Sequence, residues 1–190
     1  RRDFTINAIA YNHEQGIVDY FEGRADIEKR LVKCVGEPDK RFNEDALRIL
    51  RALRFSAQLN FSIEEDTAKS IHKNRELLRN IAVERITSEF SMIICAEGAE
   101  DVIREFIDVF GVFIPEAIHM KDFCQNNIHH IYDVLTHTLK VVRNVPRDLH
   151  LKLAAFFHDI AKPFTYSIDQ HGQGHFYGQQ RRNRIHSNYR

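Results

Sequence analysis

Arg41-Phe42-Asn43-Glu44-Asp45-Ala46-Leu47-Arg48-Ile49-Leu50-Arg51-Ala52-Leu53-Arg54-Phe55 separates, at helical spacing, into one apolar stripe and one charged stripe. Advancing about 100° per residue brings the apolar residues onto one side of a helix, namely Ala46, Leu47, Leu50, Leu53 and Ala57. The charged stripe on the other side contains Glu44, Arg48 and Arg51, with Asp45 at its flank. The pattern predicts a helix over residues 43–58, with Asn43 as its N-cap and two carboxylates in its first turn.

The charged stripe has the hydrogen-bonding groups needed to read a nucleobase. A carboxylate only accepts and a guanidinium only donates, so Asp45 beside Arg48 complements an edge that presents a donor next to an acceptor. Cytosine and adenine present an exocyclic amine, which donates, beside an unprotonated ring nitrogen, which accepts, whereas guanine and uracil present the reverse order, a carbonyl beside a ring N–H. A mismatched base leaves groups unpaired at a cost of roughly 1–3 kcal/mol each. The alternative is that these charges form ordinary surface ion pairs, each worth about 0.2–0.5 kcal/mol.

Three further segments accompany this helix in a fixed order. The chain opens with Arg1-Arg2-Asp3-Phe4-Thr5-Ile6-Asn7-Ala8, residues 19–26 read DYFEGRAD, and residues 35–38 read VGEP. Together with the charged stripe, these segments resemble the class II tRNA nucleotidyltransferases, which are the CCA-adding enzymes, and the related bacterial poly(A) polymerases. The resemblance extends over nearly the whole chain.

The resemblance implies roles for particular residues. The Arg-Arg-Asp segment of that family contacts the ribose of the incoming nucleotide, which points to Arg2 and Asp3; Asp3 can also be the N-cap of a helical turn over residues 4–10. The Glu-Asp-x-x-Arg segment is the template for C and A, which points to Asp45 and Arg48, supported by Glu44 and Arg51.

The resemblance also implies the reaction. The 3′-hydroxyl of a tRNA attacks the α-phosphate of CTP or ATP, and two Mg²⁺ ions stabilise the reacting oxygens. In the family an Asp-x-Asp pair upstream of the Arg-Arg-Asp segment holds these ions, and this sequence contains no such pair. We therefore expect a fragment that lacks the N-terminal catalytic motif, is inactive in isolation, and supplies base selection and binding of the tRNA acceptor stem. A poly(A) polymerase is an alternative parent.

A second constellation of polar residues lies towards the C-terminus. His137 is followed twenty-one residues later by the adjacent pair His158 and Asp159. Imidazole and carboxylate groups suit a divalent metal that activates water against a phosphate ester. The arrangement resembles the HD-type phosphohydrolase domain, although Gln179 stands where that domain has a further histidine. Asp169 and His175 are candidate contributors, and both a metal-dependent phosphohydrolase and a truncated structural unit remain open.

Composition limits the possible partners. The 27 basic and 27 acidic residues cancel, so RNA binding requires local patches, for which the candidates are Arg54, Arg75, Arg79 and Arg85, besides a cluster at Arg181, Arg182 and Arg184. Three widely separated cysteines are typical of a reducing compartment and predict a cytoplasmic protein. Residues from about 60 to 125 resemble the neck and body helices with which the nucleotidyltransferase family holds the tRNA acceptor stem, so a plain helical RNA-binding module is a third possible function.

The predicted fold is mostly α with a small β edge. Short strands are expected at residues 8–11, 16–21 and 31–35, and helices at 64–78 and 83–96 after the first. Three domains are expected: 1–37 as the remnant of a nucleotidyltransferase head, 38–125 as a helical neck and body that selects nucleotides and binds RNA, and 126–190 as a truncated HD-like domain.

Overall fold

Helices carry most of the residues that the computed structural model describes, which are 2–123, 132–168 and 174–176. The mostly α fold class is therefore confirmed. The chain divides into two compact units, Arg1–Val102 and Ile103–Arg190. The three-domain division with boundaries at residues 37 and 125 stays a prediction. Cys124, Asp169, Gln179 and the cluster Arg181, Arg182 and Arg184 lie outside the described residues, as do the contacts of the His175 side chain.

The first unit combines short strands with helices. Its elements are β1 (Ala10–Asn12), β2 (Gly16–Val18), α1 (Gly23–Glu28), β3 (Leu31–Val32), α2 (Pro38–Glu44), α3 (Leu47–Leu59), β4 (Ser62–Ile63), α4 (Glu65–Asn74) and α5 (Val83–Ile94), before α6 (Ala99–Glu105). β1 and β2 form an antiparallel hairpin, and β3 pairs with β4 in parallel. The second and third predicted strands are present but shorter, the first lies at residues 10–12 instead of 8–11, and residues 62–63 form the additional strand β4.

The predicted helix over residues 43–58 is interrupted at Asp45. Asn43 lies inside α2, so its prediction as an N-cap is wrong, and Asp45 has an extended backbone with φ −155°. The Asp45 carboxylate accepts a hydrogen bond from the Leu47 amide at 3.1 Å. A short acidic side chain that bonds the backbone ahead of it favours a helix start over a helix interior. The charged stripe is therefore divided between two helices.

Two other boundaries follow from local hydrogen bonding. Glu64 caps α4 from outside, because its carboxylate accepts from the Thr67 amide at 2.8 Å. The predicted helix over 64–78 ends early at Asn74 and continues as a 3-10 segment over Arg75–Asn80. The helix predicted over 83–96 is present as α5, and its apolar face is buried at Ile86, Phe90 and Ile93.

The core of the first unit forms between α3 and α5. The whole predicted apolar stripe of α3 is buried, with Leu50, Leu53 and Ala57 fully inaccessible to solvent. Burial of a leucine side chain contributes about 2 kcal/mol, so this stripe fixes the orientation of α3 and of the charged residues on its other side.

The opening segment of the chain is fixed against this core. Phe4 is fully buried, and its ring meets that of Phe55 edge to face, with centroids 5.6 Å apart. The Val35 amide donates to the Asp3 carbonyl at 3.1 Å, and the Thr5 amide donates to the Lys33 carbonyl at 2.9 Å. The following turn is the 3-10 segment Thr5–Asn7, which is capped at Phe4 by the Asn7 side chain. Asp3 is therefore not an N-cap, and its carboxylate is available to other partners.

The second unit contains several short helices beside two longer ones. Its further elements are α7 (Ile107–Phe110), α8 (Pro115–Ile118), α9 (Val134–Asn144), α10 (Leu149–Phe157), α11 (Lys162–Thr165) and the hairpin of β5 (Tyr166–Ile168) with β6 (Gly174–Phe176). Asp133 and Asp148 cap α9 and α10 through their carboxylates. Leu135, Leu139 and Phe156 are buried. His137 thus lies on α9, and His158 directly follows α10.

Among the described residues, no helix combines the length and the apolar character that crossing a bilayer requires.

Candidate functional site

The Asp3 carboxylate is the centre of a cluster of arginines. Its Oδ1 accepts from Nε of Arg48 at 3.0 Å, and its Oδ2 lies 2.7 Å from Nη2 of Arg51. Nη2 of Arg41 lies 3.9 Å from Oδ1. Only 13% of the Asp3 side chain is exposed, so these charge pairs are partly shielded from water. Arg48 and Asp3, which are 45 positions apart in sequence, are thus in direct contact.

Glu44 completes the cluster at the end of α2. Its Oε2 accepts from Nη1 of Arg41 at 2.5 Å and from Nη1 of Arg48 at 2.8 Å. Burial opposes the charge on Arg48, but the hydrogen bond to Glu44 and the charge of Asp3 outweigh burial and raise the pKa of the Arg48 guanidinium. Arg48 is therefore a permanent cation held by two carboxylates.

Asp45 and Arg48 lie at the α2–α3 junction, but their side chains have different partners. The Asp45 carboxylate bonds the Leu47 amide, and its Oδ2 lies 3.4 Å from Nη2 of Arg85 on α5. Arg48 is held by Asp3 and Glu44 instead. The two side chains are thus neighbours in the chain, each with its own support, rather than an ion pair with each other.

This arrangement leaves hydrogen-bonding capacity for a ligand. Within residues 2–123, 132–168 and 174–176, nothing hydrogen-bonds to Nη2 of Arg48. The side chain of Asp45 is 35% exposed and its contact with Arg85 is long, so its carboxylate can accept from a ligand at small cost. The arrangement thus offers one donor and one acceptor, which is the pair that the sequence predicted for reading cytosine and adenine.

The four arginines predicted to bind RNA differ in their surroundings. Arg54 is 15% exposed; its Nε donates to Glu89 at 2.7 Å, and its guanidinium lies 4.5 Å from the centre of the Phe55 ring. The other side chains are more open, with Arg75 at 38%, Arg79 at 66% and Arg85 at 52% exposed. The protein thus already satisfies much of Arg54, whereas the other three have more surface that can meet a phosphate.

The second unit brings together His137, His158 and Asp159. One potential ligand atom from each lies within 4.8 Å of the others. Nε2 of His158 is 3.1 Å and Nε2 of His137 is 3.8 Å from Oδ2 of Asp159. Two imidazoles and one carboxylate form a donor set that suits first-row divalent metals.

Lys162 adds a cation to this cluster. Its Nζ lies 2.7 Å from the same Oδ2 of Asp159 and is largely enclosed. The hydrogen bond to Asp159 is the main reason that the pKa of His158 is raised. Burial opposes ionisation of Asp159, but its bonds to His158 and Lys162 outweigh burial and lower the pKa of the carboxyl group. A metal ion at this site would therefore compete with Lys162 for a carboxylate that is already ionised.

Two buried residues of the first unit carry no role in the sequence analysis. Arg41 belongs to the cluster around Asp3, where it contacts Arg2, Asp3 and Glu44, and Glu89 lies on α5 and binds Arg54. The spacing of Arg41 and Glu44, three residues apart, is a signal for a helical ion pair. Glu89 has no comparable signal, because its partner is 35 positions away in sequence.

Two family models match parts of the chain. The model of the poly A polymerase head domain matches residues 1–33, and that of a probable RNA and SrmB-binding site of polymerase A matches residues 60–117. Arg2 and Asp3 lie in the first segment, and Arg75, Arg79 and Arg85 lie in the second.

Curated relatives are similar over a longer stretch. A CCA-adding enzyme of Lactobacillus johnsonii is 47% identical over 108 residues, which is 57% of this chain and 27% of that enzyme. A CCA-adding enzyme of Lactobacillus helveticus is 46% identical over 126 residues, which is 66% of this chain and 32% of that enzyme. The matched region thus spans about a third or less of the length of these relatives.

Solved structures agree with this similarity. The CCA-adding enzyme of Bacillus stearothermophilus in complex with CTP is 42% identical with a TM-score of 0.55, covering 56% of this chain and 27% of that one. A tRNA-processing enzyme without ligand is 24% identical with a TM-score of 0.60, covering 86% of this chain and 49% of that one. The second likeness concerns the fold alone.

A nucleotidyltransferase family implies a divalent metal ion.

Proposed function

We propose that this chain, which is similar to CCA-adding enzymes, selects CTP and ATP and binds tRNA in template-independent addition of CCA to the tRNA 3′ end. The observation that carries the proposal is the direct contact between Asp3 and Arg48. It joins the segment proposed to bind ribose to the residue proposed to read the base. The similar CCA-adding enzyme of Bacillus stearothermophilus was solved in complex with CTP, which supports CTP as a ligand of this chain.

We assign the roles as follows. Asp45 accepts from the exocyclic amine of cytosine or adenine, and Arg48 donates to the neighbouring ring nitrogen. Glu44 supports Arg48 directly, Arg51 supports it through Asp3, and Arg2 and Asp3 contact the ribose. Arg75, Arg79 and Arg85, with Arg54 in a more enclosed position, contribute to binding the tRNA acceptor stem. Guanine and uracil present these groups in the reverse order, with a carbonyl against the Asp45 carboxylate and a ring N–H against the Arg48 guanidinium, so neither side chain is paired and these nucleotides are rejected.

Titration with the four nucleotides tests base selection. We expect CTP and ATP to bind at least about tenfold more tightly than GTP and UTP, because each unpaired group costs about 1–3 kcal/mol. Asp45→Ala and Arg48→Ala should bring the four dissociation constants close together. Isothermal calorimetry or nucleotide-detected NMR at constant salt measures these constants.

Two substitutions at exposed charges are matched controls. Lys40→Ala and Asp66→Ala remove side chains that are 76% and 78% exposed in the same unit, and the nucleotide preference should persist in both. Equal affinity of the unmodified chain for all four nucleotides would rule out base selection by this cluster. A preference for ATP alone would favour a poly(A) polymerase instead.

We propose Mg²⁺ as the divalent ion of the nucleotidyl transfer reaction. The cluster around Asp3 does not suit this ion, because guanidinium groups already engage both oxygens of Asp3 and one oxygen of Glu44. The chain's own contribution is therefore to bind and orient the base and ribose. The family resemblance assigns the metal to an upstream Asp-x-Asp pair.

A second activity is favoured by the cluster in the other unit. His137, His158 and Asp159 are proposed ligands of a divalent metal in an HD-like domain, where the metal would supply an activated water against a phosphate ester. Lys162 beside Asp159 is positioned to balance the charge of the carboxylate.

Metal binding and hydrolysis test this second activity. Manganese or zinc ions should bind the chain, and His158→Ala should weaken this binding by at least about tenfold, because one of three ligands is lost. Hydrolysis of a 2′,3′-cyclic phosphate should depend on added metal and fall in parallel. His150→Ala, at a histidine with a 94% exposed side chain, is the control. Binding that is unchanged in His158→Ala would contradict the assignment.

The cytoplasm is the proposed compartment. Cys34 and Cys95 are free thiols, and burial is the main cause that raises the pKa of Cys34 to about 12. An inert buried thiol and unpaired cysteines are typical of a reducing environment.

A further inference from the structure

Arg41 is the most enclosed arginine of the cluster around Asp3. Its side chain is 9% exposed, whereas that of its neighbour Lys40 on the same helix is 76% exposed. A guanidinium that is withdrawn from water needs acceptors to offset the loss of hydration. The hydrogen-bond partners of Arg41 therefore indicate its role in the cluster.

The contacts of Arg41 join three separate parts of the first unit. Its Nη2 donates to the carbonyl of Arg2 at 2.8 Å, and its Nη1 donates to Oε2 of Glu44. Its own carbonyl accepts from Nη1 of Arg48 at 2.8 Å. Arg41 thus touches the opening segment, the end of α2 and the base-reading arginine.

Arg41 and Arg48 share a single carboxylate oxygen. Both guanidinium groups bond Oε2 of Glu44 through Nη1. The Glu44 side chain is 39% exposed and could adopt other rotamers without these bonds. With Arg41 in place, Oε2 stays where Arg48 needs it, and Arg48 is held from three directions by Asp3, Glu44 and the Arg41 carbonyl.

One donor of Arg41 has no partner. Its Nε is buried and unbonded among the residues that the structure describes, as is Nε of Arg51. Buried donors without acceptors are rare and costly, and they are commonly found where geometry serves a ligand more than stability. The orientation of the Arg41 side chain is thus set by its bonds to the Arg2 carbonyl and Glu44, and not by full satisfaction of its own hydrogen bonds.

We propose that Arg41 is a positioning residue that sets the orientation of Arg48, and thereby the preference for cytosine and adenine, without touching the nucleotide. This inference rests on the proposed function. A fork of two donors at fixed spacing is needed to reach the Arg2 carbonyl and Glu44 together. A lysine keeps the charge but has a single donor point, so it cannot maintain both links.

Arg41→Lys and Arg41→Ala test the proposal, with Lys40→Ala as the control on the same helix. In both Arg41 variants we expect the preference for CTP and ATP over GTP and UTP to fall about tenfold, the loss typical of one charged hydrogen bond. The Nε–H signal of Arg48, which its bond to Asp3 protects from exchange, should shift or broaden in ¹H–¹⁵N NMR spectra. Lys40→Ala should leave both the preference and the signal unchanged.

The outcomes separate this inference from the proposed function. If the unmodified chain has no preference among nucleotides, the proposed function fails, and the Arg48 signal alone decides the positioning role. An unshifted signal and an intact preference in Arg41→Lys overturn the inference. If Arg41→Ala does not fold, Arg41→Lys decides by the same two measurements.

Discussion

Replacing Asp3 with alanine is expected to lower the free energy of unfolding by about 3 kcal/mol and to abolish selective nucleotide binding. The carboxylate neutralises Arg48 and Arg51 at contacts of 3.0 and 2.7 Å, and the Arg48 side chain is only 13% exposed. Its removal leaves Glu44 as the remaining acidic partner of Arg41 and Arg48. Three guanidinium groups would then repel one another around a single carboxylate, and Arg48 would lose its fixed orientation.

Urea denaturation followed by far-ultraviolet circular dichroism measures this change. Asp3→Asn keeps the shape and one acceptor but loses the charge, so its effect should lie between those of the unmodified chain and Asp3→Ala. Asp66→Ala removes a side chain that is 78% exposed and should cost less than about 1 kcal/mol. An Asp3→Ala protein as stable as Asp66→Ala would mean that the cluster contributes little to the fold.

The apolar half of the fold could be predicted from the sequence because it depends on periodicity. Leu47, Leu50 and Leu53 recur at helical spacing, and all three are buried. The same holds for Ile86, Phe90 and Ile93 on α5. Burial on one face is a property of spacing alone, so no knowledge of the partner helix is needed.

The break at Asp45 could not be predicted from that periodicity. α2 begins at Pro38, seven residues before Asp45, and α3 begins at Leu47. In the sequence, the helical spacing of the charged residues continues from α2 into α3 without a change. Whether an aspartate inside such a stripe extends one helix or starts the next depends on its bond to the Leu47 amide. That competition involves small free-energy differences that residue spacing does not reveal.

The composition of the cluster around Asp3 was partly predictable. Glu44 and Arg48 are four residues apart, and their ion pair follows from helical spacing even though the helix is interrupted. The link from Asp3 to Arg48 spans 45 positions and depends on the tertiary fold. The family resemblance linked the segments of Asp3 and Arg48 by function. Residue chemistry alone was equally compatible with ordinary ion pairs on a surface helix.

Replacing Gly23 with alanine should cost about 3 kcal/mol of stability, because the new methyl group has no room. A Cβ at position 23 would lie 2.2 Å from the Thr5 carbonyl oxygen. Hydrogen bonds fix both Thr5 and Gly23 in place. The Thr5 hydroxyl donates to the buried Asp26 of α1 at 2.6 Å, and the Gly23 amide donates to Asp19. The helix α1 would have to move away from the segment Thr5–Asn7 and lose the Thr5–Asp26 bond.

This displacement should also reach the nucleotide site. The Thr5 amide bonds Lys33, and the Asp3 carbonyl bonds Val35, so the segment carrying Asp3 is held by the same backbone that Gly23→Ala would push. We therefore expect the CTP and ATP preference to narrow in Gly23→Ala, measured by the same four-nucleotide titration, beside a lower urea midpoint.

Gly16→Ala is the matched control for Gly23→Ala. Gly16 has φ +71°, and among the residues that the structure describes no other group lies within 4 Å of the place that an alanine methyl would take, so alanine there meets backbone strain of about 1 kcal/mol but no collision. Its urea midpoint should fall less than that of Gly23→Ala, and its nucleotide preference should be unchanged. Equal losses of stability in the two variants would show that the close approach of α1 to Thr5 is not what makes glycine necessary at position 23. A Gly23→Ala protein that loses stability but keeps full nucleotide preference would mean that Asp3 is held independently of α1.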